Sequence, residues 1–168
     1  MQTRQCPNNA AANNTGRMVR RYDPADWDAI SRVHDRARLL ELGLTVGRAA
    51  FRSLAETADS EGLFDGEILV ADHEGLVTGF VAFTADEITW LYADPAHGRS
   101  GIGRMLLRHA LATCIGTVET WVLAGNIPAI MLYRSEGFVL AETRIGHLEG
   151  DPTTPATGHL MRRAPDLA

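Results

Sequence analysis

The pattern of apolar and polar positions changes period several times along the chain. Residues 18–22 read as a short strand. Asp23-Pro24 behind it is a helix start, with the carboxylate as cap and the proline where its missing N–H costs nothing. Trp27, Ile30, Val33 and Ala37 then recur at three- and four-residue spacing, which predicts a helix with one apolar face up to Gly43. A second helix is expected over 46–58. The period then drops to two. Residues 67–72 and 76–84 read as strands joined by the hairpin signal His73-Glu74-Gly75, and 88–93 as a third strand ahead of Asp94-Pro95.

Helical spacing returns over 102–115, where Ile102, Leu106 and Ala110 share one side. A strand is expected over 117–123, a helix over 127–136 closed by Gly137, and a strand over 138–145. A last strand is expected over 159–162, after the turn-rich stretch 151–158. The order β-α-α-β-β-β-α-β-α-β-β predicts an α/β (α+β) fold with a mixed, mostly antiparallel central sheet flanked by helices. With 168 residues, no internal repeat and no long linker, residues 17–168 are expected to form a single domain. Residues 1–16 are rich in Asn and lack the apolar stretch of a secretion signal, so they are expected to be a disordered N-terminal tail.

Composition changes this picture by exclusion. All 16 basic residues are arginine, so this chain holds no Schiff-base lysine, no pyridoxal-phosphate anchor and no Gly-Lys-Ser/Thr phosphate loop. A net charge of −5 and a pI near 5.6 argue against duplex nucleic acid as a partner. No apolar run approaches the roughly 20 residues of a membrane span, so a soluble protein with no membrane partner is expected. Cys6 and Cys114 form neither a disulfide framework nor a metal-spaced motif, and the six histidines are not ligand-spaced, so no metal is expected. This usage fits a reducing compartment, and a cytoplasmic location is expected.

The chemistry concentrates at Gly98-Arg99-Ser100-Gly101-Ile102-Gly103-Arg104, between a strand and a helix. There the backbone can turn tightly and aim several N–H groups and the positive helix end at one anion, a pyrophosphate being the natural guest. A glycine-rich turn without a ligand is the alternative. The loop is not a dinucleotide fingerprint, because the third position counted from Gly101 is Leu106.

Together, Leu91-Tyr92-Ala93-Asp94-Pro95, the loop from Gly98 to Gly103 and Arg104-Met105-Leu106-Leu107 resemble the acetyl-CoA motif of the GCN5-related N-acetyltransferase (GNAT) superfamily. That family's pattern is Gln/Arg-x-x-Gly-x-Gly/Ala. Asn126 and Tyr133, seven residues apart before Gly137-Phe138, resemble its second motif, and the likeness extends over about residues 18–163. The family's Gln/Arg position falls on Gly98, with the arginine displaced to Arg99.

The resemblance implies an enzyme that transfers acetyl from acetyl-CoA, as co-substrate, to a primary amine by direct attack on the thioester. It implies cofactor contacts from Leu91, Tyr92, Ala93, Gly98, Arg99, Ser100, Gly101, Ile102, Gly103, Arg104, Asn126 and Tyr133. Tyr133 takes the position of the general acid, with a core aromatic as the alternative, and Asn126 that of a pantetheine contact or a helix cap. Glu87 is the first candidate for the general base, with Asp86 and Glu119 behind it; all three are alternatively solvated surface. The base that N-terminal protein acetyltransferases can carry five residues before the Asn is here Trp121, which with Trp90 lines a pocket or packs in the core. His34 is expected as a packed residue beside the acceptor region.

Residues 55–94 carry ten acidic residues and no arginine, whereas residues 95–115 carry Arg99, Arg104 and Arg108 and no acid. The first stretch suits a small cationic amine acceptor and equally a solvated face; the second suits phosphates. Two alternatives stay beside the small-amine reading: acetylation of protein or peptide N-termini, and a catalytically silent acyl-CoA-binding module. A homodimer is expected through the late strands, a feature of the family.

Overall fold

The structure, a computed structural model, describes residues 16–165; apart from Gly16, the expected tail lies outside them. Strands β1 (Arg17–Arg21), β2 (Glu67–His73), β3 (Leu76–Phe83) and β4 (Ile88–Ala93) form an antiparallel sheet in the order β1-β2-β3-β4. The β2–β3 hairpin turns through Glu74 and Gly75, both at positive φ, which sets the right-handed twist of a two-residue turn. A second antiparallel sheet has the order β5-β7-β6, from β5 (Val118–Leu123), β6 (Val139–Leu148) and β7 (Asp151–Arg163).

Helix α1 (Trp27–Leu44) and the short α2 (Leu54–Thr57) cover one face of the first sheet; Ile30, Val33, Leu54 and Leu63 bury against Val70, Phe80 and Trp90. Helix α3 (Ile102–Leu111) covers the other face, where Ile102, Leu106 and Ala110 meet Val81 and Ile88. Helix α4 (Ile127–Ser135) joins this second core through Ile130 and Tyr133, beside Val118, Val122 and Phe138. The element order matches the expectation from sequence, and among the described residues no helix is long and apolar enough to cross a membrane.

Two elements differ from their sequence reading. The helix expected over 46–58 breaks at Phe51, which is extended at φ −65° and ψ 132°. Behind it Glu56 accepts hydrogen bonds from the N–H and hydroxyl of Ser53, both at 2.7 Å, so a Ser-x-x-Glu box starts α2 afresh. The stretch 151–158 is strand rather than turn. Pro152 and Pro155 are tolerated because β5 pairs with β7 only from Gly158 onward, leaving β6 as the sole partner there.

Candidate functional site

The two sheets touch at one point. Glu87 and Glu119 form a single parallel bridge; the Glu119 N–H donates to the Asp86 carbonyl at 2.8 Å, and the Thr120 hydroxyl to the Ile88 carbonyl at 2.8 Å. Further along, β4 pairs only with β3 and β5 only with β7, so the two strands diverge. The Asp94 N–H donates to the Thr78 carbonyl at 2.8 Å and Tyr92 stands opposite Phe80. By strand alternation the N–H groups of Leu91 and Ala93 therefore face the opening. Tyr92, expected as a third donor there, turns its N–H to β3 instead.

The glycine loop lies on the α3 side of this opening. Arg99 and Gly101 both adopt left-handed conformations, at φ 60° and 79°, and Gly101 caps α3. The first hydrogen bond of the helix runs from the Met105 N–H to the Gly101 carbonyl. The N–H groups of Ile102, Gly103 and Arg104 thus point out of the helix end, as anion donors do. Arg17 donates to the Ser100 carbonyl and the Ser100 hydroxyl to the His97 carbonyl, so Ser100 is held at both its backbone and its side chain. Gly79 lets this helix end approach: a Cβ there would stand 2.7 Å from Ile102 Cγ2 and 2.9 Å from the Tyr92 carbonyl oxygen. The side chain of Arg104 pairs with Glu136 at 3.0 Å, as Arg108 does at 2.8 Å, so what Arg104 turns to the loop is its backbone N–H. Arg99 is exposed, and so are Gly98 and Gly101.

On the other face, a cavity of about 730 Å³ is bounded by α1, the α2 region, β4, β5 and the β6–β7 turn. Six carboxylates line it (Glu41, Glu61, Asp65, Glu87, Glu149 and Asp151), against the guanidinium groups of Arg38, Arg52 and Arg144. Burial and the charges of Asp86, Glu119 and Glu149 push the Glu87 carboxyl above its ordinary range. Glu119 is engaged by Arg162 at 2.7 Å and Asp86 by the Thr84 hydroxyl at 3.0 Å. Trp121 borders the cavity with the Arg144 guanidinium 4.7 Å from its ring centroid, while Trp90 lines it from the core. His34 is packed, 2% exposed, with its Nδ1 at 2.8 Å from Asp35 Oδ1.

Asn126 and Tyr133 both belong to α4, the first at its cap and the second in the core on its inner face. Asn126 caps the helix, its Oδ1 accepting from the Ala129 N–H at 3.2 Å, while its Nδ2 donates to Glu41 Oε1 at 3.2 Å. Tyr133 is buried, its ring centroid 5.3 Å from that of Phe138. Burial pushes its phenol up to about 12; the charge of Glu41 adds to this and the Thr120 hydroxyl opposes it. Gly103 brings α3 onto α4, since a Cβ there would stand 3.3 Å from Leu132 Cδ2.

Glu41 and Arg38 were not singled out in the sequence. Arg38 Nη1 holds Glu41 Oε2 at 2.7 Å, and the Tyr92 hydroxyl donates to the same oxygen at 3.4 Å. Their three-residue spacing was visible but is that of a surface ion pair, and only the fold buries it. Among the described residues, no group of three or more His, Cys, Asp or Glu side chains is placed to hold a metal.

Comparison with known proteins agrees with this arrangement. Residues 64–140 match the model of the acetyltransferase (GNAT) domain, spanning β2 to the start of β6. No curated protein matches. Among solved structures, the ribosomal-protein-S18-alanine N-acetyltransferase from Escherichia coli is 21% identical over 90% of this chain and 96% of its own, with a TM-score of 0.70. A Salmonella typhimurium protein solved with its cofactor acetyl-CoA is 22% identical over 91% and 96%, with a TM-score of 0.67. Ard1 from Thermoplasma volcanium is 21% identical over 89% and 97%, with a TM-score of 0.68. The domain match spans the glycine loop and the diverging strands, and the solved structures share the fold around them, so over residues 64–140 the chain is similar to the GNAT acetyltransferases.

Proposed function

We propose that the protein uses acetyl-CoA to acetylate the primary amine of a small cationic acceptor. The observation that carries this reading is the opening between β4 and β5, with helix-end N–H donors on one face and an acid-lined cavity on the other. Acetyl-CoA, when bound, supplies a thioester whose carbonyl is open to attack by an amine. The residues fit it: three backbone N–H groups at the start of α3, supported by the left-handed turn before it, suit a pyrophosphate without any lysine. Asn126 offers its second Nδ2 proton to the pantetheine arm.

The N–H groups of Leu91 and Ala93 stabilise negative charge on the carbonyl oxygen, each such donor being worth about 10² to 10³ in rate. Tyr133 is the general acid for the departing sulfur, and its raised phenol keeps that proton available at neutral pH. Glu87 takes the proton from the incoming ammonium; its raised carboxyl brings its basicity toward the operating pH. The surplus of cavity carboxylates attracts the cation.

A homodimer and a cytoplasmic location belong to the same proposal, the latter from the reducing-compartment cysteine usage. β6 is the edge of its sheet and residues 139–147 are exposed, with Ile145 at 85%. An antiparallel pairing centred on Thr143 would set Glu142 opposite the partner's Arg144. Ile145→Lys is then expected to give monomers in analytical ultracentrifugation where the unaltered chain gives dimers.

The reading is tested by thiol release from acetyl-CoA with a panel of polyamines, aminoglycosides, amino acids and peptides. Turnover confined to small cationic amines supports it. Turnover of free peptide N-termini alone would move the acceptor to proteins, the class named for the Escherichia coli neighbour. Silence across the panel would leave the acyl-CoA-binding module.

A further inference from the structure

The side chain of Glu41 joins three elements at the open end of the splayed strands. It projects from α1, holds Arg38 one turn back, receives the hydroxyl of Tyr92 from β4 and receives Nδ2 of Asn126 from the cap of α4. The ion pair is largely withdrawn from solvent, with side-chain exposures of 18% for Arg38 and 14% for Glu41. Ordering a charged pair there without a further role is a poor use of burial, because desolvation offsets most of what the pair gains.

The chemistry of the Asn126 amide makes the contact directional. Its Oδ1 is committed to the Ala129 N–H. A carboxylate only accepts hydrogen bonds, so Glu41 can be met only by the NH₂ end, and one of its two protons is used there. The other proton is then held in a fixed direction at the cap of α4. Arg38 in turn holds the Glu41 carboxylate in place.

We infer that Glu41 is a positioning residue for the acyl-CoA arm: it fixes the orientation of the Asn126 amide and ties α1 to the end of α4 that borders the opening. The inference rests on the acetyl-CoA reading above. Glu41 acts through Asn126, so its contribution to binding exists only while that amide is present. The same tie couples the acceptor cavity, which Glu41 and Arg38 line, to the cofactor side of the strands.

The test is a double-mutant cycle read by calorimetric titration with coenzyme A, on the full chain, with thermal melts as a check of folding. Glu41→Ala is expected to raise the Kd about tenfold. The isosteric Glu41→Gln, which keeps one accepting oxygen, is expected to raise it about threefold with little change in Tm. In an Asn126→Ala background both effects should shrink to less than twofold, and with a turned-over amine the KM for acetyl-CoA should move more than kcat. Failure of the unaltered chain to bind coenzyme A would sink the acetyl-CoA reading itself. Binding by the unaltered chain with no change in either Glu41 variant, or with the full effect persisting in the Asn126→Ala background, would overturn the positioning role alone.

Discussion

Two titratable side chains on the acceptor side make separable predictions. His34 is packed edge-on to Tyr92, ring centroids 4.9 Å apart, and burial holds its imidazole below the ordinary 6.5, with Asp35 pulling the other way. The unfolded chain takes up a proton below about 6.5 that the folded chain refuses. The stability that neutral His34 contributes is therefore present above that pH and lost as pH falls through its depressed value. Urea midpoints measured from pH 7.5 to 5 should fall more steeply for the unaltered chain than for His34→Gln; parallel slopes would count against it. Glu87 has the opposite sign, a raised carboxyl that must be ionised to act as base. Activity should drop as pH is lowered through that raised value, and Glu87→Gln should lower kcat by about 10² or more and flatten this acid limb. His34 as a packed residue was legible from its helical spacing. The burial of Arg38 and Glu41 was not, because the helix pattern shows neighbours on one face but not what the other elements bring against them.

At the scale of elements, the approach of α3 to β3 is the most exacting contact. A Cβ on Gly79 would meet the backbone oxygen of Tyr92, which cannot swing aside, as well as Ile102. Gly79→Ala is expected to cost about 1–3 kcal/mol in urea unfolding and to weaken coenzyme A binding by displacing the helix end. Gly146→Ala, in open space on β6, should change neither. The strands with clean alternation, the Glu74-Gly75 turn and the Asp23-Pro24 start were all readable because their signals are local. Asp23 nonetheless caps a short 3-10 turn over Pro24–Asp26 before α1 begins. The break before α2 was readable in the Ser53–Glu56 box but was hidden by continuous helix-forming composition. β7 was missed over 151–158 because its strand character comes from pairing with β6, and two prolines argue against it locally.

The described residues form two sheets joined at the Glu87–Glu119 bridge, with helix-end donors on the α3 side and more carboxylates than guanidinium groups in the cavity on the α1 side. The fold class was legible because the element order is diagnostic, and the glycine loop because glycine spacing is visible in a string of letters. The cavity was not, because its walls come from five separated segments. All three tyrosines titrate above their ordinary 10, chiefly through burial. A folded-state value above the unfolded one means that this stability is full below about pH 10 and is lost as pH rises through the folded values. Tyrosinate absorbance should therefore be lower at pH 10 in the folded protein than in the unfolded chain, and rise together with the loss of far-ultraviolet circular dichroism. A half-titrated folded protein at pH 10 would contradict this. Because the chain has no lysine, its own side chains offer no amine to acetylate, so thiol release from acetyl-CoA alone gives a low background. Against that background the most direct measurement is steady-state thiol release with a turned-over amine, comparing the unaltered chain with Tyr133→Phe. The account predicts a kcat lower by about 10² to 10³ with the KM for acetyl-CoA within about threefold; equal kcat values would contradict it.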